Sequence, residues 1–208
     1  MNKEHNGVTV AVGYGWQKFN EEESNQVDSE KKKGNPSKEK IPRNGYEVLY
    51  DQFWQSLRDV LKQRADGIKK SKGVDITVKR LRASHGKLVF GSILENIKNA
   101  DILVFDISQP PQEMPREECD ISSVIKGFNS NVLVEVGVAL GMNKRVLLLC
   151  PKHLFEEVPS DLKGFLWTLY TGSISKENFT RTFCDARGFQ NAFMGMLRDT
   201  IKEKSSDI

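Results

Sequence analysis

The 208-residue sequence lacks several features that would assign it to a class at once. No apolar run approaches the ~18 residues that a membrane span needs, and the first residues do not form a secretory leader. The net charge is only +3, from 31 basic and 28 acidic residues, which gives no argument for nucleic-acid binding. We therefore expect a cytoplasmic protein with neither a membrane nor a nucleic acid as its partner.

Cysteine is also scarce. The three cysteines, Cys119, Cys150 and Cys184, are odd in number and far apart. Zinc sites place such ligands in close pairs, and disulfide frameworks use even numbers. The spacing predicts reduced thiols, with Cys150 an ordinary strand residue, and no metal site. No cofactor is expected either, because the Gly-Tyr-Gly turn at 13–15 lacks the third glycine of the dinucleotide fingerprint.

What the sequence does contain is a series of apolar runs that alternate between strand and helix character. Strands are predicted at 7–12, 74–81, 100–108, 146–150 and 166–171, and helices at 46–65, 88–99, 129–142 and 185–204. This alternation predicts an α/β fold of the doubly wound, flavodoxin-like or Rossmann-like kind. We expect a sandwich with a parallel sheet of about five strands, formed by residues 1–208 as one domain.

Two segments interrupt the alternation. Residues 20–43 are strongly polar and contain Gly-Asn-Pro-Ser, which predicts a mobile insertion. The alternative for this segment is a lid that brings lysines to a phosphate. Residues 109–127 are rich in proline and acidic residues, and an irregular connection is expected there.

In a doubly wound sheet the ligand crevice lies at the carboxyl ends of the strands, so the residues that follow each strand are candidates for binding. Glycine allows close backbone approach, aromatic rings offer flat faces to a base or sugar, and arginine and serine bind phosphate. Asp106 ends the third strand and is a candidate for catalysis. The alternative for Asp106 is a turn aspartate that caps its own backbone. The substrate-binding candidates are Gly13, Tyr14, Gly15, Trp16, Arg82 and Ser84.

One acid, Glu135, interrupts the apolar run 132–142 that follows the polar cap 129–131. An unpaired carboxylate is costly to bury, so this side chain must reach a cleft or stay protonated. The asparagine-rich cap is expected to place backbone N–H groups and the positive end of the helix dipole near Glu135, which favours its ionised form. Asp106, among apolar strand residues, is the acid expected to hold a proton. We predict that Glu135 is catalytic. The alternative is a helix acid with its head group in solvent.

Three segments together resemble a known family. ADILVFDIS at 100–108, NSNVLVEVGVALGMNKRVLLL at 129–149 and DLKGFLWTLY at 161–170 are similar to the nucleoside 2-deoxyribosyltransferase-like superfamily, whose fold is related to that of TIR domains. The resemblance covers about residues 7–170. Its most specific part is the register of Asn129, Asn131, Val132, Glu135, Gly137, Ala139 and Lys144.

The resemblance implies a metal-independent N-glycosidase that acts on a nucleoside, a nucleotide or an NAD-like molecule. It implies that Glu135 attacks or stabilises C1′ of the sugar and that Asp106 orients groups or transfers a proton. Tyr14 would belong to the sugar and base pocket, and Asn129 and Asn131 are counted with the substrate-binding residues. A homo-oligomer, dimeric or larger, is implied as well.

The resemblance also leaves choices open. The deoxyribosyltransferases proper carry a second aspartate upstream of the glutamate, and here only Asp120 is available, so hydrolysis is favoured over transfer. Bacterial anti-phage effectors that degrade NAD or nucleotides are among the implied roles. The alternative from another class is a TIR-like module that senses a nucleotide or assembles with partners without turnover.

Overall fold

The computed structural model describes residues 7–14, 55, 58–59, 61–63, 65–67, 74–81, 89–111, 115, 117–175 and 179–206. Its strands are β1 (Gly7–Tyr14), β2 (Asp75–Arg80), β3 (Ile102–Asp106), β4 (Cys119–Asp120), β5 (Arg145–Pro151), β6 (Trp167–Thr171), β7 (Ser173–Ile174) and β8 (Thr182–Phe183). Its helices are α1 (Val89–Lys98), α2 (Ile121–Val124), α3 (Ser130–Gly141), α4 (Ser160–Lys163) and α5 (Ala186–Ser206), with a 3-10 helix at Lys152–Glu157. The predicted insertion at 20–43 and the candidates Gly15, Trp16, Arg82 and Ser84 lie outside these residues.

The main sheet has six strands in the order β2-β1-β3-β5-β6-β8. The first five are parallel, and β8 joins the edge antiparallel to β6. The prediction of a doubly wound α/β fold with about five parallel strands is confirmed. The edge strand β8 was not predicted, because two residues are too few to show the alternation that marks a strand.

The centre of the sheet consists of the most apolar strands. Every residue of β3 is buried, and β5 is buried from its second residue onward. Strands of a parallel sheet are covered on both faces, so continuous apolar runs are what such positions require. Cys150 is buried within β5, as predicted. None of the helices in the described part of the chain is long and apolar enough to cross a membrane.

Helix α5 covers one face of the sheet with an apolar stripe at helical spacing. Phe189, Phe193, Leu197 and Ile201 are its buried apolar residues. Phe183 of β8 stacks on Phe189, with the ring centroids 4.2 Å apart. Phe183 is the register partner of Tyr170, and paired residues point to the same face of a sheet. Tyr170 therefore points to the α5 face.

The segment 109–127 is more regular than expected. It contains β4, which pairs antiparallel with β7, and the short helix α2. Asp120 caps α2, because its Oδ1 accepts the N–H of Ser122 at 2.7 Å. Hydrogen bonds from Ser122 lower the pKa of the Asp120 carboxyl. The prediction of a wholly irregular connection was wrong, since the partner strand lies about 50 residues away and leaves no local signal.

In the turn from α3 to β5, two residues of the segment 129–149 have structural roles. Asn143 has a φ of 55°, in the left-handed region that asparagine tolerates better than most residues. Lys144 Nζ donates to the carbonyl oxygens of Lys98 and Ala100, at 2.5 Å and 2.9 Å. Lys144 thereby ties the end of α1 to the start of β5, a structural role.

Candidate functional site

Helix α3 begins at a side-chain cap. The Oδ1 atom of Asn129 accepts the backbone N–H groups of Asn131 at 3.1 Å and Val132 at 3.2 Å. Asn129 is 8% exposed, so its carboxamide belongs mainly to the helix start. The Asn131 side chain is exposed on the first turn. Of these two substrate-binding candidates, Asn131 has the free surface and Asn129 has the capping role.

A substitution series separates capping from substrate binding at position 129. We expect Asn129→Ala to lower the free energy of unfolding by about 1 kcal/mol, because two N–H groups lose their acceptor. Asn129→Asp keeps an acceptor oxygen and should keep the stability. Chemical denaturation of both variants, with Asn131→Ala as the matched surface control, measures the effect. Equal stability of Asn129→Ala and wild type would show that the cap is dispensable.

Glu135 lies on the stripe of α3 that packs on the sheet. The other buried residues of the helix are Val132, Val136 and Ala139, at the i, i+3, i+4 and i+7 spacing of one helix face. The Glu135 side chain is 9% exposed. A methyl group placed on Gly13 would lie 3.2 Å from its Oε2 atom. The carboxylate is therefore held beside the end of β1, and the alternative of a solvated head group is wrong.

The Glu135 carboxyl is buried, and no partner among the described residues offsets the cost of burying its charge. No hydrogen bond or ion pair reaches its carboxylate from any residue that the structure describes. Burial raises the pKa of Glu135 from 4.5 to about 7. The expectation that the helix dipole keeps this acid ionised was wrong. Glu135 is the sixth residue of α3, whereas the dipole acts within the first turn.

The glycine at position 13 makes room for this arrangement. An added Cβ would approach two ring carbons of Phe105 to 2.4 Å and 2.6 Å, besides its contact with Glu135. We expect Gly13→Ala to lower the free energy of unfolding by about 1–3 kcal/mol, the scale of overpacking a core. It should also lower any turnover that depends on Glu135. Gly137→Ala, where an added Cβ meets nothing within 4 Å, is the control and should stabilise α3 slightly. Thermal melts of both variants decide the matter.

The other predicted acid, Asp106, points to the opposite face of the sheet. Phe105 is the register partner of Gly13, and its ring lies where a Gly13 Cβ would point, next to Glu135. Successive residues of a strand point to opposite faces. Asp106 therefore faces the α5 side, as does its register partner Tyr14. We expect Tyr14 or Trp16 to line one cleft with Asp106 and Glu135. For Tyr14 and Asp106 this expectation is wrong, because Glu135 reaches the sheet from the other face, and Trp16 lies outside the described residues.

Asp106 is the centre of a closed polar network. Its Oδ1 accepts the N–H and Oγ–H of Ser108, at 3.1 Å and 2.6 Å. Tyr170 Oη lies 2.9 Å from Oδ2, and Arg181 Nη2 lies 2.8 Å from the same oxygen. Asp106 is 0% exposed. The bond to Ser108 N is the turn-capping contact that was the alternative interpretation of this aspartate.

Three members of the network, Ser108, Tyr170 and Arg181, were not singled out in the sequence. The Arg181 side chain is 2% exposed, and its guanidinium lies 5.2 Å from the ring centroid of Tyr170 and 4.6 Å from that of Phe179. Burial, and then the Asp106 charge, raise the pKa of Tyr170 well above its ordinary value, so the phenol keeps its proton and donates it. Tyr170 is the last residue of the segment 161–170 and could have been singled out. Arg181 lies in a stretch with no periodicity and gave no signal.

The two buried carboxylates of the site differ in one respect. Asp106 has a cation and several donors, whereas Glu135 has neither within the described residues. No group of three or more histidine, cysteine, aspartate or glutamate side chains suited to a metal occurs in that part of the chain. No protein-family model and no curated protein matches the sequence.

Proposed function

We propose that this protein is an N-glycosidase that cleaves the bond between base and sugar in a nucleoside, a nucleotide or an NAD-like molecule. Glu135 is the residue that acts on the sugar. It lies beside Gly13 near the carboxyl end of β1, and ligands bind at the carboxyl ends of the strands in doubly wound sheets. The substrate is a small molecule, and the reaction needs only a carboxylate and water.

One observation supports this proposal above the others: Glu135 is buried on the sheet-facing stripe of α3 without a partner in the described part of the chain. A structural acid at such a depth is normally paired, because an isolated buried charge costs several kcal/mol. Asp106 illustrates the paired case within the same molecule. Carboxyl groups with a perturbed pKa cluster at catalytic sites.

The chemistry follows from charge. When the C1′–N bond breaks, the electron pair leaves with the base and positive charge develops on the sugar ring. An ionised Glu135 stabilises that charge or forms a bond to C1′, as carboxylates do in glycosidases. Water then adds to C1′ and loses a proton, and the departing base gains one. Because the pKa of Glu135 is about 7, the active ionised form increases as the pH rises through neutrality.

A substrate screen tests the proposal. Purified protein is incubated with nucleosides, 5′-nucleotides and NAD, and free base and free sugar are measured by mass spectrometry. We expect base release from at least one class by wild type and none by Glu135→Gln. Glu156→Gln is the matched control, because the Glu156 side chain is exposed and forms a 3.6 Å ion pair with Lys163. Equal base release by wild type and Glu135→Gln would contradict the proposal.

A binding module without turnover is the second candidate. The observation that favours it is the position of Asp106, which faces away from Glu135 and so leaves the glutamate without a second acid beside it among the described residues. Such a module would bind one of the screened nucleotides, seen as a rise in melting temperature, and release no base. Binding without product in the same screen would therefore favour this candidate.

A further inference from the structure

We propose that Asp106 and Arg181 form a buried positioning pair that fixes the start of helix α3 and thereby the place of Glu135. The proposal rests on the proposed function, because it assigns these residues to the support of Glu135. Asp106 was expected either to orient groups or to transfer a proton, and its contacts favour orientation. Arg181, which is 75 residues away in sequence, supplies the counter-charge.

Asp106 holds the turn that follows β3. Both the N–H and the hydroxyl of Ser108 bind the same oxygen of Asp106. Ile107, which lies between Asp106 and Ser108 in the sequence, donates its N–H to the carbonyl of Leu149 at 3.1 Å. The Asp106 carboxylate therefore sets the direction in which the chain leaves the sheet.

Backbone hydrogen bonds link this turn to the segment before α3. The carbonyl of Ile107 accepts the N–H of Asn129 at 2.9 Å, and the N–H of Gln109 binds the carbonyl of Gly127 at 2.8 Å. Ser108 and Phe128 form an antiparallel bridge between these two bonds. The turn after β3 is thus paired, residue by residue, with the segment that leads into the helix.

Helix α3 connects Asn129 to Glu135. Asn129 is both the residue held by Ile107 and the cap of α3. Glu135 follows within two turns of a rigid helix, so a shift of Asn129 moves the carboxylate relative to Gly13. The order of contacts is Arg181, Asp106, Ser108 with Ile107, Asn129 and then Glu135. Loss of the Asp106 oxygen that Ser108 binds should let water reach Glu135.

The role of Arg181 is to hold Asp106 in place. Burying a charged side chain with 0% exposure is costly unless a partner of opposite charge is beside it. The guanidinium is held by its position over the rings of Tyr170 and Phe179, which suits a planar arginine and not a lysine. Arg181 precedes β8 directly, so the antiparallel edge strand delivers it to Asp106.

The test measures Glu135 directly. Two double variants remove the ion pair and differ in whether position 106 keeps an oxygen for Ser108 and Tyr170. Asp106→Asn with Arg181→Met keeps an oxygen for Ser108, whereas Asp106→Leu with Arg181→Met does not. The readout is the titration of the Glu135 carboxyl carbon by NMR in glutamate-labelled protein, with the signal assigned from its absence in Glu135→Gln. The full chain is used throughout.

We expect the asparagine double variant to keep the pKa of Glu135 at about 7, the value to which burial raises it. The leucine double variant should titrate lower by about one pH unit or more, because a loosened helix start exposes the carboxyl to water. Lys204→Met is the control. It removes an ion pair to Asp101 but none of the contacts that run from Arg181 to Glu135, so it should leave the Glu135 titration unchanged. An unchanged Glu135 titration in the leucine double variant would overturn the proposal.

A further variant keeps the test decisive if the leucine double variant does not fold. Ser108→Ala removes the 2.6 Å hydroxyl contact and leaves the ion pair with Arg181 intact. It should lower the pKa of Glu135 in the same direction by a smaller amount, and no change would count against the proposal. The titration needs no substrate. If the variants shift the pKa of Glu135 while the wild-type protein releases no base, the glycosidase function is therefore rejected and the positioning pair is retained.

Discussion

Replacing Glu135 by glutamine is expected to lower the rate of base release by about a hundredfold or more, the scale of removing one electrostatic stabiliser. Glutamine keeps the length and hydrogen-bonding shape of the side chain and loses the charge. A group that acts chiefly in the transition state affects turnover far more than substrate binding. We therefore expect kcat to fall while KM changes little. Steady-state assays of base release by chromatography provide the measurement.

The same substitution should raise the stability of the protein at neutral and alkaline pH. In the folded protein Glu135 has a pKa of about 7, above the ordinary 4.5. Between these values the folded state holds a proton that the unfolded state has lost, so stability decreases as the pH rises through this window. The difference of 2.5 pH units, 7 − 4.5, corresponds to about 3 kcal/mol. Glutamine does not titrate and avoids this cost.

Melts of wild type and Glu135→Gln at pH 4 and pH 8 test the second effect. The two proteins should be equally stable at pH 4, where both side chains are neutral. At pH 8 the variant should be more stable by up to about 3 kcal/mol. In activity assays the wild-type rate should increase through about pH 7 as Glu135 ionises. An identical pH dependence of stability in both proteins would mean that Glu135 is solvated, against its burial.

Removing Arg181 is expected to produce the largest loss of stability. Arg181→Met leaves the Asp106 carboxylate fully buried without its cation. Breaking one side of a buried pair costs about 3–5 kcal/mol. Replacing both members, as in Asp106→Leu with Arg181→Met, removes the uncompensated charge and should recover a large part of that loss. Urea denaturation of the single and double variants measures both changes.

The ion pair between Lys204 and Asp101 gives the matched comparison. Its nitrogen–oxygen distance is 2.9 Å, close to the 2.8 Å of the Arg181 pair, but its side chains are 39% and 21% exposed. Exposed pairs contribute about 1 kcal/mol or less. Lys204→Met should therefore cost much less than Arg181→Met. Equal losses in the two variants would show that burial does not govern the contribution of the Asp106 pair.

Local sequence patterns were sufficient for the elements that build the site. The apolar run broken by Glu135 predicted α3 and placed the acid on a helix, because helix and strand periods are properties of neighbouring residues. The strands before and after it, β3 and β5, were predicted within a few residues for the same reason. The short strands β4, β7 and β8 were missed, since each is stabilised mainly by a partner distant in sequence.

The sequence by itself determined the doubly wound fold, the helix that carries Glu135 and the strand end that carries Asp106. Only the tertiary structure decided that the two carboxylates point to opposite faces of the sheet. It also decided which of them is paired within the described part of the chain: Arg181, just before β8, binds Asp106, while burial beside Gly13 raises the pKa of Glu135. The physical reason is that periodicity fixes the direction of a side chain relative to its own element. Desolvation and ion pairing depend on groups brought together by the chain as a whole.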